Sequence, residues 1–99
     1  MASADAVPAR DPVLCLAEVL DLRAAAPLAA DLAASRGLEV ELDASQVRRL
    51  GGQCLQILLS AQAFWEADDI RFRIVSPSAE FTDGLALLGA AALFPIPEA

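Results

Sequence analysis

Apolar positions recur along this chain in two rhythms. Val13, Leu14, Cys15 and Leu16 form a short apolar run, which predicts a strand. Glu18-Val19-Leu20-Asp21-Leu22 alternates polar with apolar, as a half-buried neighbouring strand does. The alanine-rich segment Ala24–Ser35 predicts a helix with Ala25, Leu28 and Leu32 on one face. Pro27 then belongs in the first turn, where a missing N–H is not needed, and Gly37 suits a left-handed cap. Leu38, Val40 and Leu42 alternate as one face of a further strand.

From Gly52 to Ala67 runs the strongest helical pattern. Cys54, Ile57, Leu58, Ala61, Phe64 and Trp65 make its apolar face, while Gln53, Gln56 and Ser60 form a polar stripe on another side. Arg71–Val75 reads as a strand with Phe72 and Ile74 on one face, and with Arg71 and Arg73 on the other, set to meet Glu39 and Glu41. Ser76-Pro77 places a capping hydroxyl before a proline at the first helical position. Phe81, Leu85 and Leu88 supply the core stripe of that last helix, Gly89 ends it, and Leu93-Phe94-Pro95-Ile96 covers the edge of the core.

The order strand, strand, helix, strand, helix, strand, helix indicates an α/β fold with a sheet covered by helices. Ninety-nine residues fill one core, so the expected organisation is a loose tail over residues 1–12 and a single domain over 13–99.

Charge narrows the partners. A net charge of −7 with no lysine-arginine cluster repels a phosphate backbone and an anionic membrane alike, which argues against nucleic acid. A basic protein partner fits the charge, and so does a need for solubility alone. No stretch is apolar enough to cross a bilayer, and no basic segment followed by an apolar run marks a secretory signal, so a cytoplasmic setting is expected.

Catalytic chemistry is hard to assemble from these residues. The chain has no histidine, which removes the commonest metal ligand and general base. Cys15 reads as strand core and Cys54 projects from the apolar side of its helix, so neither has an activating base. Glu39 with Glu41, and Asp68 with Asp69, read as solvated faces rather than a dyad or metal site. No enzyme, metal or cofactor is expected. Gly51-Gly52 at a helix start could present N–H groups to an anion, with Arg48 and Arg49 upstream either assisting or simply solvated.

The run Val40-Glu41-Leu42-Asp43-Ala44-Ser45-Gln46-Val47-Arg48-Arg49-Leu50-Gly51-Gly52-Gln53-Cys54-Leu55 resembles the centre of a STAS domain. That family includes the anti-sigma factor antagonists and the small STAS subunits of lipid-transporting ABC systems. The resemblance covers Leu14 to about Leu88 and extends to the Ser76-Pro77 turn and the Leu-Gly that closes the last helix. It implies a SpoIIAA-like fold: a mixed sheet of four to five strands covered by three to four helices. Asp43 and Ser45 match the family's Asp-x-Ser, Val47 its valine and Leu55 its leucine. Gly51 stands where the family has aspartate, Gly52 and Gln53 where it has two hydroxyl-bearing or small residues, and Cys54 where it has glycine.

In the antagonists a serine or threonine in this turn is phosphorylated by an anti-sigma kinase, which releases the complex. Gln53 cannot accept a phosphoryl group, nor does its neutral amide imitate one. The resemblance therefore implies a non-enzymatic, protein-binding regulatory module in cytoplasmic signalling, without a phosphoacceptor. Its implied partner is a histidine-kinase-like ATPase domain or a chemotaxis signalling protein. The expected contact surface is Arg48, Gly51, Gly52, Gln53, Gln56 and Ser60. The alternatives are a subunit of a lipid-transporting ABC system, bound to its ATPase, and a small-ligand carrier.

Overall fold

The computed structural model of the chain describes residues 13–92 and 94. Five strands and three helices follow in the order β1 (Val13–Cys15), β2 (Val19–Leu20), α1 (Leu22–Ala34), β3 (Val40–Asp43), β4 (Arg49–Leu50), α2 (Gly52–Ala67), β5 (Phe72–Val75) and α3 (Ala79–Leu87). The strands form a three-stranded sheet, ordered β1-β3-β5, and a two-stranded one, β2-β4. All pairings among the described residues are parallel. Three helices pack on these sheets around one apolar core. The 1–12 tail lies outside the described residues, as do Leu93, Pro95 and Ile96 of the terminal segment. Phe94 of that segment is buried in the core.

β3 sits centrally because Val40 and Leu42 send their side chains into the core, both fully buried, while Glu41 and Asp43 face the other way. Glu41 there meets Arg73 of β5 at 3.4 Å, the cross-strand ion pair that the alternation of both strands implies. Leu38, by contrast, precedes the strand and is exposed. Its contribution is its carbonyl, which accepts the indole N–H of Trp65 at 2.7 Å.

α1 begins earlier than its alanine run suggests. Asp21 is its N-cap, and one carboxylate oxygen accepts the N–H groups of Arg23 and Ala24 at 3.0 and 3.3 Å. Leu22 therefore opens the helix instead of closing a strand, and Pro27 falls beyond the first turn, inside the helix. Proline there gives no N–H to the carbonyl of Arg23. Asp21's cap and the burial of Ala25, Leu28 and Leu32 hold the helix around it.

α2 occupies the span its pattern predicts, from Gly52 to Ala67. Its buried face is Cys54, Leu55, Leu58, Ala61 and Trp65; Ile57 is half-buried and Phe64 is exposed. The apolar stripe runs one position to the side of Phe64. In α3, Ser78 and not Ser76 provides the cap. Ser76 takes a left-handed φ of 51°, away from the extended geometry of an N-cap. The Ser78 hydroxyl accepts the N–H of Phe81 and donates to the carbonyl of Val47. Phe81 and Leu85 are buried, but Leu88 is the C-cap and stays exposed, and Gly89 follows in the left-handed region. Cys15, read from the sequence as core, is exposed, because the alternation of β1 turns Leu14 inward instead.

Candidate partner-binding site

The ends of β2 and β4 and the starts of α1 and α2 meet at one end of the molecule. Gly51, the N-cap of α2, donates its N–H to the carbonyl of Leu20 at 2.8 Å. A Cβ at residue 51 would stand 3.1 Å from that oxygen and 3.8 Å from the Asp21 Cα. A side chain there would push on that backbone oxygen by a few tenths of an ångström, so glycine lets the turn lie close against β2. Gly52 has open space around it. The close neighbour of Gly51 is thus the chain's own backbone.

α2 has no side-chain cap at its start. Its first turn, Gly52-Gln53-Cys54, contains no hydroxyl. The side chains of Gln53, Gln56 and Ser60 lie along one exposed stripe that begins at this turn. Arg48 is exposed in the approach to β4, 3.9 Å from the equally exposed Glu18, so the pair is solvated and of little energetic weight. Gly51, Gly52 and Gln53 thus stand at the start of α2, and Gln56 and Ser60 continue from them along the helix, while Arg48 lies beside Glu18 ahead of β4 and no hydrogen bond or ion pair among the described residues joins it to the turn.

Two groups, Asp43 at the end of β3 and Cys54 in the first turn of α2, titrate away from their ordinary values. The Ser45 side chain and its backbone N–H, the latter 2.9 Å from the Asp43 carboxylate, hold that carboxyl below the usual aspartate range. Asp43 and Ser45 thus close a local turn at the end of β3. Burial, reinforced by the charge of Asp21, pushes the Cys54 thiol up. Its Sγ donates to the carbonyl of Asp21 at 3.3 Å. A protonated, buried thiol is a poor nucleophile, and here it serves as a small core group between the two helix starts.

Two features of this region were not read from the sequence. The alternation of residues 18–22 puts Asp21 in a strand, although an Asp ahead of a helix-favouring alanine run is also a cap signal. A groove of about 350 Å³ between α1 and α2 also went unread, since it depends on how the helices pack. Ala29, Leu32 and Ala33 border it on one side; Gln56, Ile57, Ser60, Ala61, Phe64 and Trp65 border it on the other, and Arg36 stands at one end. Among the described residues no group of three or more His, Cys, Asp or Glu side chains is placed to hold a metal ion. No helix among them is long and apolar enough to cross a membrane.

The strand–turn–α2 unit and the sheet order make the comparison with known families informative. A protein-family model described as "Mlab, STAS domain" matches residues 3–95. The chain belongs to that family. No curated protein and no solved structure matched it significantly. STAS domains are in general non-catalytic regulatory modules that act by binding proteins, and the α/β architecture described above is theirs.

Proposed function

We propose that this STAS domain is a non-enzymatic regulatory module that binds a cytoplasmic signalling protein through the start of α2. The contact set is Arg48, Gly52, Gln53, Gln56 and Ser60, with Gly51 setting the position of the turn. The observation that carries the reading is the exposed stripe of Gln53, Gln56 and Ser60 leading from an uncapped helix start. Side-chain amides provide paired donors and acceptors, and the free N–H groups of the first turn add donors. With glutamine where the antagonists carry a phosphoacceptor, recognition is constitutive at this turn. A histidine-kinase-like ATPase domain or a chemotaxis signalling protein is the partner class that this reading favours.

The test is a pull-down from native lysate with wild type beside Gln53→Asp, retained proteins being identified by mass spectrometry. A signalling ATPase retained by wild type and reduced about tenfold by the variant, with far-UV circular dichroism unchanged, supports the assignment. Equal retention by the two proteins removes it.

One observation favours a second reading, a STAS subunit bound to the ATPase of a lipid-transporting ABC system: the matching family carries the Mlab description. Co-purification with a nucleotide-binding subunit from the membrane fraction supports that reading over the first.

A further inference from the structure

α1 and α3 each start on a side-chain cap, Asp21 and Ser78, whereas α2 starts on Gly51 with none. Its first helical residue, Gly52, is a glycine as well, the residue that loses most freedom on entering a helix. A helix end of that kind frays unless contacts from elsewhere in the fold hold it. Two contacts do so. The Gly51 N–H donates to the carbonyl of Leu20 at 2.8 Å, and the Cys54 thiol donates to the carbonyl of Asp21 at 3.3 Å. Successive carbonyls at the β2–α1 junction thus receive the two ends of the α2 turn. Among the described residues, Cys54 is the one side chain of that turn that makes a hydrogen bond.

We infer that Cys54 is the positioning residue of the α2 turn: in place of a cap, its thiol fixes the start of α2 to the start of α1. That the turn meets a partner rests on the proposed contact surface, whereas the tie between the helices is independent of it.

The anchor on α1 is itself held. The Asp21 carboxylate accepts the N–H groups of Arg23 and Ala24, and the Asp21 carbonyl takes the Ala24 N–H at 3.0 Å besides the thiol. On the other side Cys54 is fully buried, so no water replaces the carbonyl as its acceptor. Burial and the Asp21 charge raise the thiol pKa, so the donor proton is present at neutral pH. Neighbouring side chains on a helix point about 100° apart. With Cys54 turned inward onto Asp21, Gln53 is turned to the exposed side, where it stands. The substitutions relative to the family pattern also pair up. Gly51 replaces an aspartate, a residue type that caps helices, and Cys54 replaces a glycine, which has no side chain to donate.

Amide hydrogen exchange of the full chain, followed by NMR, tests this in wild type, Cys54→Ala and Cys54→Ser. The Gly51 and Leu55 amides, bonded to the carbonyls of Leu20 and Gly51, report the turn. Leu58 and Ala61, in the middle of α2, are the reference. Cys54→Ala should lower the protection of the turn amides about fivefold relative to that reference. The hydroxyl of Cys54→Ser can donate to the same carbonyl and should restore protection to within about twofold of wild type. Unchanged turn protection in Cys54→Ala overturns the inference. So does a loss spread evenly along α2, which marks Cys54 as core packing alone, or a local loss that serine fails to restore. Exchange needs no partner, so its outcome stands apart from that of the Gln53→Asp pull-down. In that pull-down Cys54→Ala should lose the same protein that Gln53→Asp loses; wild-type retention by Cys54→Ala beside a loss in Gln53→Asp removes the link to binding.

Discussion

The indole N–H of Trp65 donates to the carbonyl of Leu38 at 2.7 Å, which ties the last turns of α2 to the segment leading into β3. The same ring meets Phe72 of β5 at 5.6 Å between centroids, tilted by 53°. Trp65 thus joins a helix, a strand and a connecting segment. Trp65→Phe keeps most of the ring contact and removes the hydrogen bond and some volume. The expected loss is about 2 kcal/mol of unfolding free energy, measured by urea denaturation.

The adjacent glycines of the α2 turn should respond in opposite directions. Gly51→Ala sets a Cβ 3.1 Å from the carbonyl oxygen of Leu20, which is backbone and part of the β2–β4 pairing. The turn must shift or the N–H···O bond must lengthen, and a loss of about 1 kcal/mol is expected. Gly52→Ala meets open space at the first position of a helix and reduces the freedom of the unfolded chain. It should be neutral or stabilising by about 0.5 kcal/mol. Thermal melts of the two variants beside wild type check the contrast.

Ser78 and Ser76 form a similar pair. Ser78→Ala removes both the cap of α3 and the bond to the carbonyl of Val47, in the segment just before β4. It should cost about 1–2 kcal/mol, while Ser76→Ala should cost less than about 0.5 kcal/mol. A larger loss for Ser76→Ala than for Ser78→Ala in denaturant titrations would place the cap where the sequence alone put it.

The Asp43–Ser45 turn gives stability a pH dependence. Because the folded carboxyl titrates below its unfolded value of about 3.9, its contribution is fully present above that pH. It is lost as pH falls through the lower, folded value. Asp43→Asn should therefore be less stable than wild type at neutral pH, and the gap should close on acidification below about pH 4. Chemical denaturation at a series of pH values measures this, and a gap that widens in acid contradicts it.

What the sequence disclosed depended on how locally each feature is determined. The extent of α2 was legible because sixteen residues of strong helical pattern begin at the second of two paired glycines and stop just before paired aspartates. Val40, Leu42 and Ile74 were legible as core because strand alternation is unambiguous between polar neighbours. Local alternatives of similar strength were misread. Ser76 and Ser78 both precede a helical run; Ser76 takes a left-handed φ, while Ser78 is extended with its hydroxyl on the Phe81 N–H, and that geometry selects Ser78. Asp21 fits both an alternating strand and a helix cap, and its bonds to Arg23 and Ala24 select the cap. The exposure of Phe64, Leu38 and Cys15 follows from the packing of whole elements, which no window of sequence contains. Among the candidate contact residues, the stripe of Gln53, Gln56 and Ser60 followed from helical spacing; the role of Gly51 against Leu20 did not, since thirty-one positions separate them.

The parallel pairing of the strands bears on how the chain reaches this state. β1 pairs with β3, β2 with β4 and β3 with β5, so partners on each ladder lie about thirty positions apart, with a helix in between. None of these ladders can start as a hairpin, and each must close a long loop before its first hydrogen bond is made. α1 and α2, as the connecting segments, shorten those loops if they form first. Substitutions that raise or lower their helicity should therefore alter the refolding rate more than the unfolding rate.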